Sequence, residues 1–224
     1  MIKAVLFDLD GTLLNRAASV ERFIFNQYDR FHDKFSHVNK DLYIRKFIEH
    51  DNHGYTWKDQ VYQQMVYELE LFSVTWEELL DDYLSHFKYN CVPFPHLIEM
   101  LEALKGMKLK LGIISNGKGQ FQMDNIKALG IEVYLDTILI SEWEGVNKPD
   151  PSIFHKALKQ LAVSPQESIF VGDHPEKDIK AAKEAGMMGV WKKDIHWQQV
   201  DADFSIEGLE QIPIIIESSL TGRS

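Results

Sequence analysis

Phe7-Asp8-Leu9-Asp10-Gly11-Thr12 closes the apolar run Ile2 to Phe7 near the start of the chain, and its reading decides the fold. The run has the length and character of a buried strand. Asp8 and Asp10 lie one residue apart, so in an extended chain both side chains point to one face, and Gly11 then lets the backbone turn. Two adjacent anions raise the pKa of at least one of them unless cations or hydrogen-bond donors compensate. The motif therefore demands partners from elsewhere in the sequence.

The bulk composition narrows where those partners act. A chain of 224 residues buries a core without disulfides, and the single cysteine, Cys91, rules out an intramolecular disulfide framework and fits a reducing compartment. Cys91 has no neighbouring base to activate it and reads as structural. The N-terminal apolar run is broken by Asp8, and no apolar stretch reaches the about 20 residues of a membrane span; neither a signal peptide nor a membrane protein is expected. Thirty-four acidic against 24 basic side chains give a formal charge of −10, which repels a phosphate backbone and argues against nucleic acid as a partner. The expectation is a soluble, cytoplasmic protein, and nothing in the sequence fixes its oligomeric state.

Beyond Asn15 the character changes. No strand signal appears as far as Val92. Phe23, Ile24, Gln27, Tyr28 and Phe31 share one helix face, as do Val61, Tyr62, Met65, Val66 and Leu69. A third helix carries Trp76, Leu79, Leu80, Tyr83, Leu84 and Phe87 and opens with a Thr75/Glu78 capping box; a weaker one spans Leu42 to Ile48. Pro93 and Pro95 stop this helical segment. From there helices and strands alternate. Helices are expected over Leu97–Leu104, up to Leu129, from Asp150-Pro151 through Leu161, and over Glu176–Ala185. The strands expected between them are Leu109–Ile114, Thr137–Ile140, Ser168–Val171 and Gly189–Trp191. Such alternation implies right-handed crossovers and a doubly wound parallel sheet of the α/β class. Residues 1–14 and 93–224 are thus expected to form one core, with 15–92 inserted as a helical bundle. The segment from Leu209 is ambiguous because Pro213 interrupts its apolar run, and the last residues look disordered.

In open parallel sheets, ligands bind beyond the carboxyl ends of the strands. Those ends here carry Asp8 and Asp10, Ser115 and Asn116, Lys148, and Asp173, with Asp178 in the first turn of the following helix. Several carboxylates sharing one lysine at one edge repel one another without a further cation, and hard oxygen ligands in this number select Mg2+.

Asp8-Leu9-Asp10-Gly11-Thr12, Ser115-Asn116, Lys148-Pro149 and Gly172-Asp173-His174-Pro175-Glu176-Lys177-Asp178 together resemble, in order, the four motifs of the haloacid dehalogenase superfamily of phosphotransferases. The inserted bundle is similar to the α-helical C1-type cap of one of its subfamilies. The resemblance implies a Mg2+-dependent phosphatase acting on a small phosphorylated substrate. It assigns Asp8 as nucleophile, forming an aspartyl phosphate, and Asp10 as the proton carrier. Thr12, Ser115, Asn116 and Lys148 would hold the phosphoryl group. The metal would lie among Asp8, the Asp10 carbonyl, Asp173 and Asp178, although Lys177 stands where relatives often have Asn or Asp. His174 and Lys118 read as flanking rather than reacting. Phosphate monoesters demand accelerations of up to about 10²¹-fold, and a divided reaction with neutralised oxygens is how such a site supplies them.

Asp10 argues against a dehalogenase, which needs no proton donor to a leaving halide. A phosphomutase uses the same two carboxylates and stays open as an alternative. A phospho-accepting regulatory domain shares the clustered Asp, hydroxyl and Lys, but it is shorter and lacks the inserted bundle. The polar loop His50 to Lys58, with His53, Tyr55 and Lys58, is the expected determinant of substrate choice. The motifs themselves do not specify which ester is cleaved.

Overall fold

The computed structural model describes residues 1–35 and 37–221. It divides into two compact units, Met1–Asn15 with Pro93–Ser224, and Arg16–Val92.

The first unit is built on a six-stranded, all-parallel sheet. Its strands are β1 (Ala4–Phe7), β2 (Lys110–Ser115), β3 (Thr137–Ile140), β4 (Ser168–Gly172), β5 (Met188–Lys192) and β6 (Phe204–Ile206), in the order β3-β2-β1-β4-β5-β6. β1 is interior, with Ala4–Phe7 paired to Lys110–Ile113 on one side and Ser168–Val171 on the other. All four of its residues are buried, the expected signature of a strand covered on both faces. One of the layers on the sheet packs Ile153, Phe154, Ala157 and Leu158 against Leu6, Ile114 and Phe170.

In the second unit, helices α1 (Arg16–Arg30), α2 (Lys40–Asp51), α3 (Lys58–Glu68) and α4 (Trp76–His86) enclose an aromatic core. Phe23 meets Tyr83 edge-on at 5.1 Å, and Phe35 stacks on Tyr43 at 4.9 Å. The capping box at Thr75 and Glu78 is present, with bonds of 3.3 and 2.9 Å. The buried face of α4 differs from the apolar stripe read from sequence. Asp82 is buried in it while Leu84 is exposed, because Arg30 and the Gln27 amide neutralise and satisfy the Asp82 carboxylate.

The first unit also holds α5 (Leu97–Gly106), α6 (Gly119–Ala128), α7 (Ser141–Glu144), α8 (Pro151–Leu161), α9 (Ala181–Glu184) and α10 (Gln211–Thr221). Asp150 caps α8 by accepting the Ser152 N–H at 2.8 Å, with Pro151 in the first turn. Three segments depart from the sequence expectation. The helix expected from Glu176 opens as a π-helical turn, Pro175–Lys180, before α9. β6 is too short for any periodic signal and, among the described residues, pairs only with β5. The ambiguous tail is helical through Thr221, because Pro213 falls in the first turn of α10, where its missing N–H breaks no helical bond. The expected disorder of the last residues concerns positions 222–224, which lie outside the described residues.

Candidate active site

Because all six strands run parallel, β1, β2, β3 and β4 present their carboxyl ends along one edge. Asp8 extends β1 by one residue, donating its N–H to Val171 O at 2.9 Å. The chain then folds into a compact turn in which Leu9 O accepts the N–H groups of Thr12, Leu13 and Leu14 at 3.3, 3.0 and 2.9 Å. Gly11 sits in this turn at φ +84°, and a Cβ there would lie 2.3 Å from Asp173 Oδ2. Glycine is required on both counts.

Lys148 is buried, and its Nζ lies 2.6 Å from Asp8 Oδ1 and 2.7 Å from Asp178 Oδ1. Its backbone is held by one side chain. Asn116 donates Nδ2–H to Lys148 O at 2.8 Å and accepts the Lys148 N–H on Oδ1 at 2.9 Å. The Lys148-Pro149 peptide is cis. Asp178 is fixed by the His174 N–H, which donates to its Oδ2 at 3.0 Å, and a Cβ at Gly172 would fall 2.4 Å from Asp178 Cβ. One carboxylate oxygen from each of Asp8, Asp173 and Asp178 lies within 4.8 Å of the others.

Charge at this cluster is unbalanced. Burial, opposed by Lys148 and reinforced by Asp178, pushes the Asp8 carboxyl up to about 7. Burial, with Asp8 and Asp178 adding to it, pushes Asp173 up to about 8. Burial disfavours the Lys148 ammonium, yet Asp178 and Asp8 outweigh it and hold its pKa above the ordinary lysine value. Three carboxylates share one lysine, and all offer hard oxygen donors. Each oxygen has more than one lone-pair site, so bonds to Lys148 and His174 do not exhaust Asp178. The donor set fits a divalent cation, which would supply the missing positive charge.

Asp10 stands outside that cluster. Its Oδ2 accepts a hydrogen bond from Gln122 Nε2 at 2.6 Å, and the same nitrogen donates to Ser115 Oγ at 2.8 Å. Thr12 is fully buried, and its hydroxyl has no hydrogen-bond partner among the described residues. His174 caps the π-helical turn, its Nδ1 accepting the N–H groups of Glu176 and Lys177 at 3.2 Å each, and Lys118 is exposed and paired with Glu142. The structure thus brings together Asp8, Lys148, Asp173 and Asp178, and joins Asp10 to Ser115 through an intermediary.

His53, Tyr55 and Lys58 belong to the helical unit. Tyr55 is exposed and His53 has a left-handed backbone, φ 55°. Lys58 is paired with the buried carboxylate of Asp51, which Arg16 Nη2 also reaches at 2.9 Å.

Two residues of this edge were not singled out from sequence. Gln122 occupies the buried face of α6 together with Asn125, and two amides on a buried stripe are the signal that points to it. Lys192 ends β5, where the sequence reads as a plain apolar strand. Its Nζ donates to Gly11 O at 3.0 Å and lies 3.3 Å from the centroid of the Phe94 ring. Burial lowers its pKa, against the pull of Asp173 and Asp194. Phe94 N in turn donates to Leu13 O at 3.0 Å, so Lys192 grips the segments that leave and re-enter this unit.

Residues 5–192 match the family described as haloacid dehalogenase-like hydrolase. A glyceraldehyde 3-phosphate phosphatase of Methanocaldococcus jannaschii is 29% identical over 97% of this chain and 98% of its own length. The pyrimidine 5'-nucleotidase YjjG of Escherichia coli is 29% identical over 87% of this chain and 88% of its own. Among solved structures, a HAD phosphatase from Thermococcus onnurineus superposes with a TM-score of 0.69 at 28% identity, covering 96% of this chain and 98% of that one. The chain belongs to the haloacid dehalogenase-like hydrolase family. Membership makes the chain an enzyme of the hydrolase class.

Proposed function

We propose that this protein is a Mg2+-dependent phosphatase that hydrolyses a small phosphorylated metabolite through an aspartyl phosphate on Asp8. The observation that carries the reading is the 2.6 Å pairing of Asp8 with Lys148 inside a three-carboxylate cluster, with a fourth carboxylate, Asp10, held outside that cluster's set by Gln122.

Asp8, Asp173, Asp178 and the Asp10 carbonyl would hold the cation. When bound, Mg2+ supplies positive charge to the phosphoryl oxygens and keeps the nucleophile ionised. Lys148, 2.6 Å from Asp8 Oδ1, adds positive charge beside the nucleophile. The Ser115 hydroxyl, the Asn116 N–H and the unpartnered Thr12 hydroxyl donate to the phosphoryl oxygens. An Asp8 oxygen attacks phosphorus while the P–O bond to the alcohol breaks, and Asp10 gives its proton to the departing oxygen. Asp10, now ionised, takes a proton from the water that attacks the phosphoryl group. The Asp8–phosphorus bond breaks, inorganic phosphate leaves, and both carboxylates return to their starting forms.

Relatives named for glyceraldehyde 3-phosphate and for pyrimidine nucleotides support a small phosphorylated metabolite as substrate. The choice among such esters is assigned to the loop carrying His53, Tyr55 and Lys58, where the exposed Tyr55 lies within three residues of both His53 and Lys58. Tyr55→Ala should change kcat/KM unevenly across a library of phosphorylated metabolites, and an even change across the library would remove the loop from consideration. The central test is hydrolysis of an aryl phosphate by the purified protein. Turnover should require Mg2+ and disappear in Asp8→Asn; undiminished turnover in a chelator, or in that variant, overturns the reading.

A further inference from the structure

Gln122 is 2% exposed, and both ends of its amide are hydrogen-bonded. On the stem side, a Cβ at Gly117, which has φ +150°, would come within 3.0 Å of Gln122 Cγ, so the loop after β2 closes directly on the side chain. Asn125, itself fully buried, donates Nδ2–H to Gln122 Oε1 at 3.2 Å and thereby sets which end of the amide faces the site. The nitrogen end then spends its two hydrogens on Asp10 Oδ2 at 2.6 Å and Ser115 Oγ at 2.8 Å, with Asn116 O a longer contact at 3.4 Å. A buried amide with this many obligations is costly to place unless each is met, and here each is met.

The chemistry of the donor matters as much as its position. An amide N–H is neutral and never loses its proton, so it donates to Asp10 Oδ2 whether the other carboxylate oxygen carries a proton or not. A lysine or arginine at this position would hold the carboxylate ionised and oppose proton delivery. A neutral donor orients the group through both halves of a reaction in which Asp10 first gives a proton and then takes one.

We propose that Gln122 is the positioning residue for Asp10, aiming its free oxygen at the leaving-group oxygen while tying it to the Ser115 hydroxyl that holds the phosphoryl group. This rests on the proton-carrier role given to Asp10 above. Losing the aim of a general acid harms esters whose alcohol needs the proton and spares those whose leaving group departs as a stable anion. kcat/KM covers the steps up to departure of that group and isolates the effect from the hydrolysis that follows.

The test measures kcat/KM for glycerol phosphate, phenyl phosphate, 4-nitrophenyl phosphate and 2,4-dinitrophenyl phosphate in wild type, Gln122→Met, Gln122→Ala and Asp10→Asn, with melting temperatures recorded for each. Met preserves volume without the amide, so it keeps the test valid where Ala fails to fold. For Gln122→Met we expect a loss of about 10- to 100-fold on glycerol phosphate, part of the roughly 10²–10⁴-fold that general acid catalysis supplies, and little loss on the dinitrophenyl ester. An even loss along the series, or none, in a folded Gln122→Met beside a steep Asp10→Asn series overturns the role of Gln122 alone. A flat Asp10→Asn series overturns the proton-carrier reading of Asp10 and this inference with it.

Discussion

Gly11 shows how tightly the site constrains single positions. A side chain there would meet two independent obstacles, the left-handed backbone at φ +84° and the carboxylate of Asp173 at 2.3 Å. The first costs about 1–2 kcal/mol for a residue with a Cβ. The second is relieved only if Asp173 swings away, and Asp173 is one of the three clustered carboxylates. Gly11→Ala should therefore weaken cation binding more than it weakens the fold. Titrating Mg2+ into the variant and following activity should show the half-saturating concentration rising at least about tenfold, the equivalent of about 1.4 kcal/mol. An unchanged Mg2+ requirement would mean that Asp173 does not contribute to the cation site.

At the level of elements, the helical unit turns on one buried side chain. Gln27 Oε1 accepts the hydroxyls of Tyr43 and Tyr62 at 3.0 and 2.9 Å, and its Nε2 donates to Leu79 O and Asp82 Oδ2, both at 3.0 Å. Burial and the nearby Asp82 carboxylate push the Tyr43 phenol well above its ordinary range, and burial does the same for Tyr62, so both stay protonated donors. Gln27→Leu keeps the volume and strands two hydroxyls and a carbonyl. With each orphaned buried group costing about 1–3 kcal/mol, the variant should lose about 3 kcal/mol or more. In thermal unfolding this appears as a drop of about 2–4 °C per kcal/mol, and an unchanged or raised melting temperature would refute the network's role.

The same position marks how far the elements were legible. Spacing alone placed Gln27 on the buried face of α1, and it placed Ile153, Phe154, Ala157, Leu158 and Leu161 on the buried face of α8, because periodicity reports which side of a helix is covered. It does not report what a polar group on that side is bonded to. Gln27, Gln122 and Lys192 were all missed as organising residues for that reason: each meets a partner distant in sequence, Asp82, Asp10 and Gly11 respectively. The parallel sheet was legible because short, largely apolar runs at β1, β2 and β4 alternate with helices and lead into polar residues, Asp8, Ser115 and Asp173. β6 and α10 were not, one being too short to show a period and the other carrying a proline whose harmlessness depends on where the helix begins.

For the molecule as a whole, the carboxylate cluster makes stability depend on pH and on cations together. The ordinary value for Asp8 is 3.8 and burial raises it to about 7 in the fold; Asp173 rises to about 8. Between those limits the folded chain binds more protons than the unfolded one, so without a cation this cluster's contribution to stability falls as pH rises from about 4 to 8. Lys148 stays charged throughout the interval and cannot offset the loss. The His174 ring, whose pKa burial and Lys177 lower, works the other way, since its contribution is lost as pH falls through 6.5 and below. Comparing wild type with Asp8→Asn cancels that opposing effect, because both proteins carry His174. In chelator, Asp8→Asn should melt several degrees above wild type at pH 8 and lose that advantage by pH 5. Adding Mg2+ should raise the melting temperature of wild type more at pH 8 than at pH 5, where protons compete for the same oxygens, and should raise that of the variant less. If Asp8→Asn melts below wild type at pH 8 in chelator, the buried carboxylates are balanced without a cation, and the electrostatic case for a metal at this edge of the sheet falls.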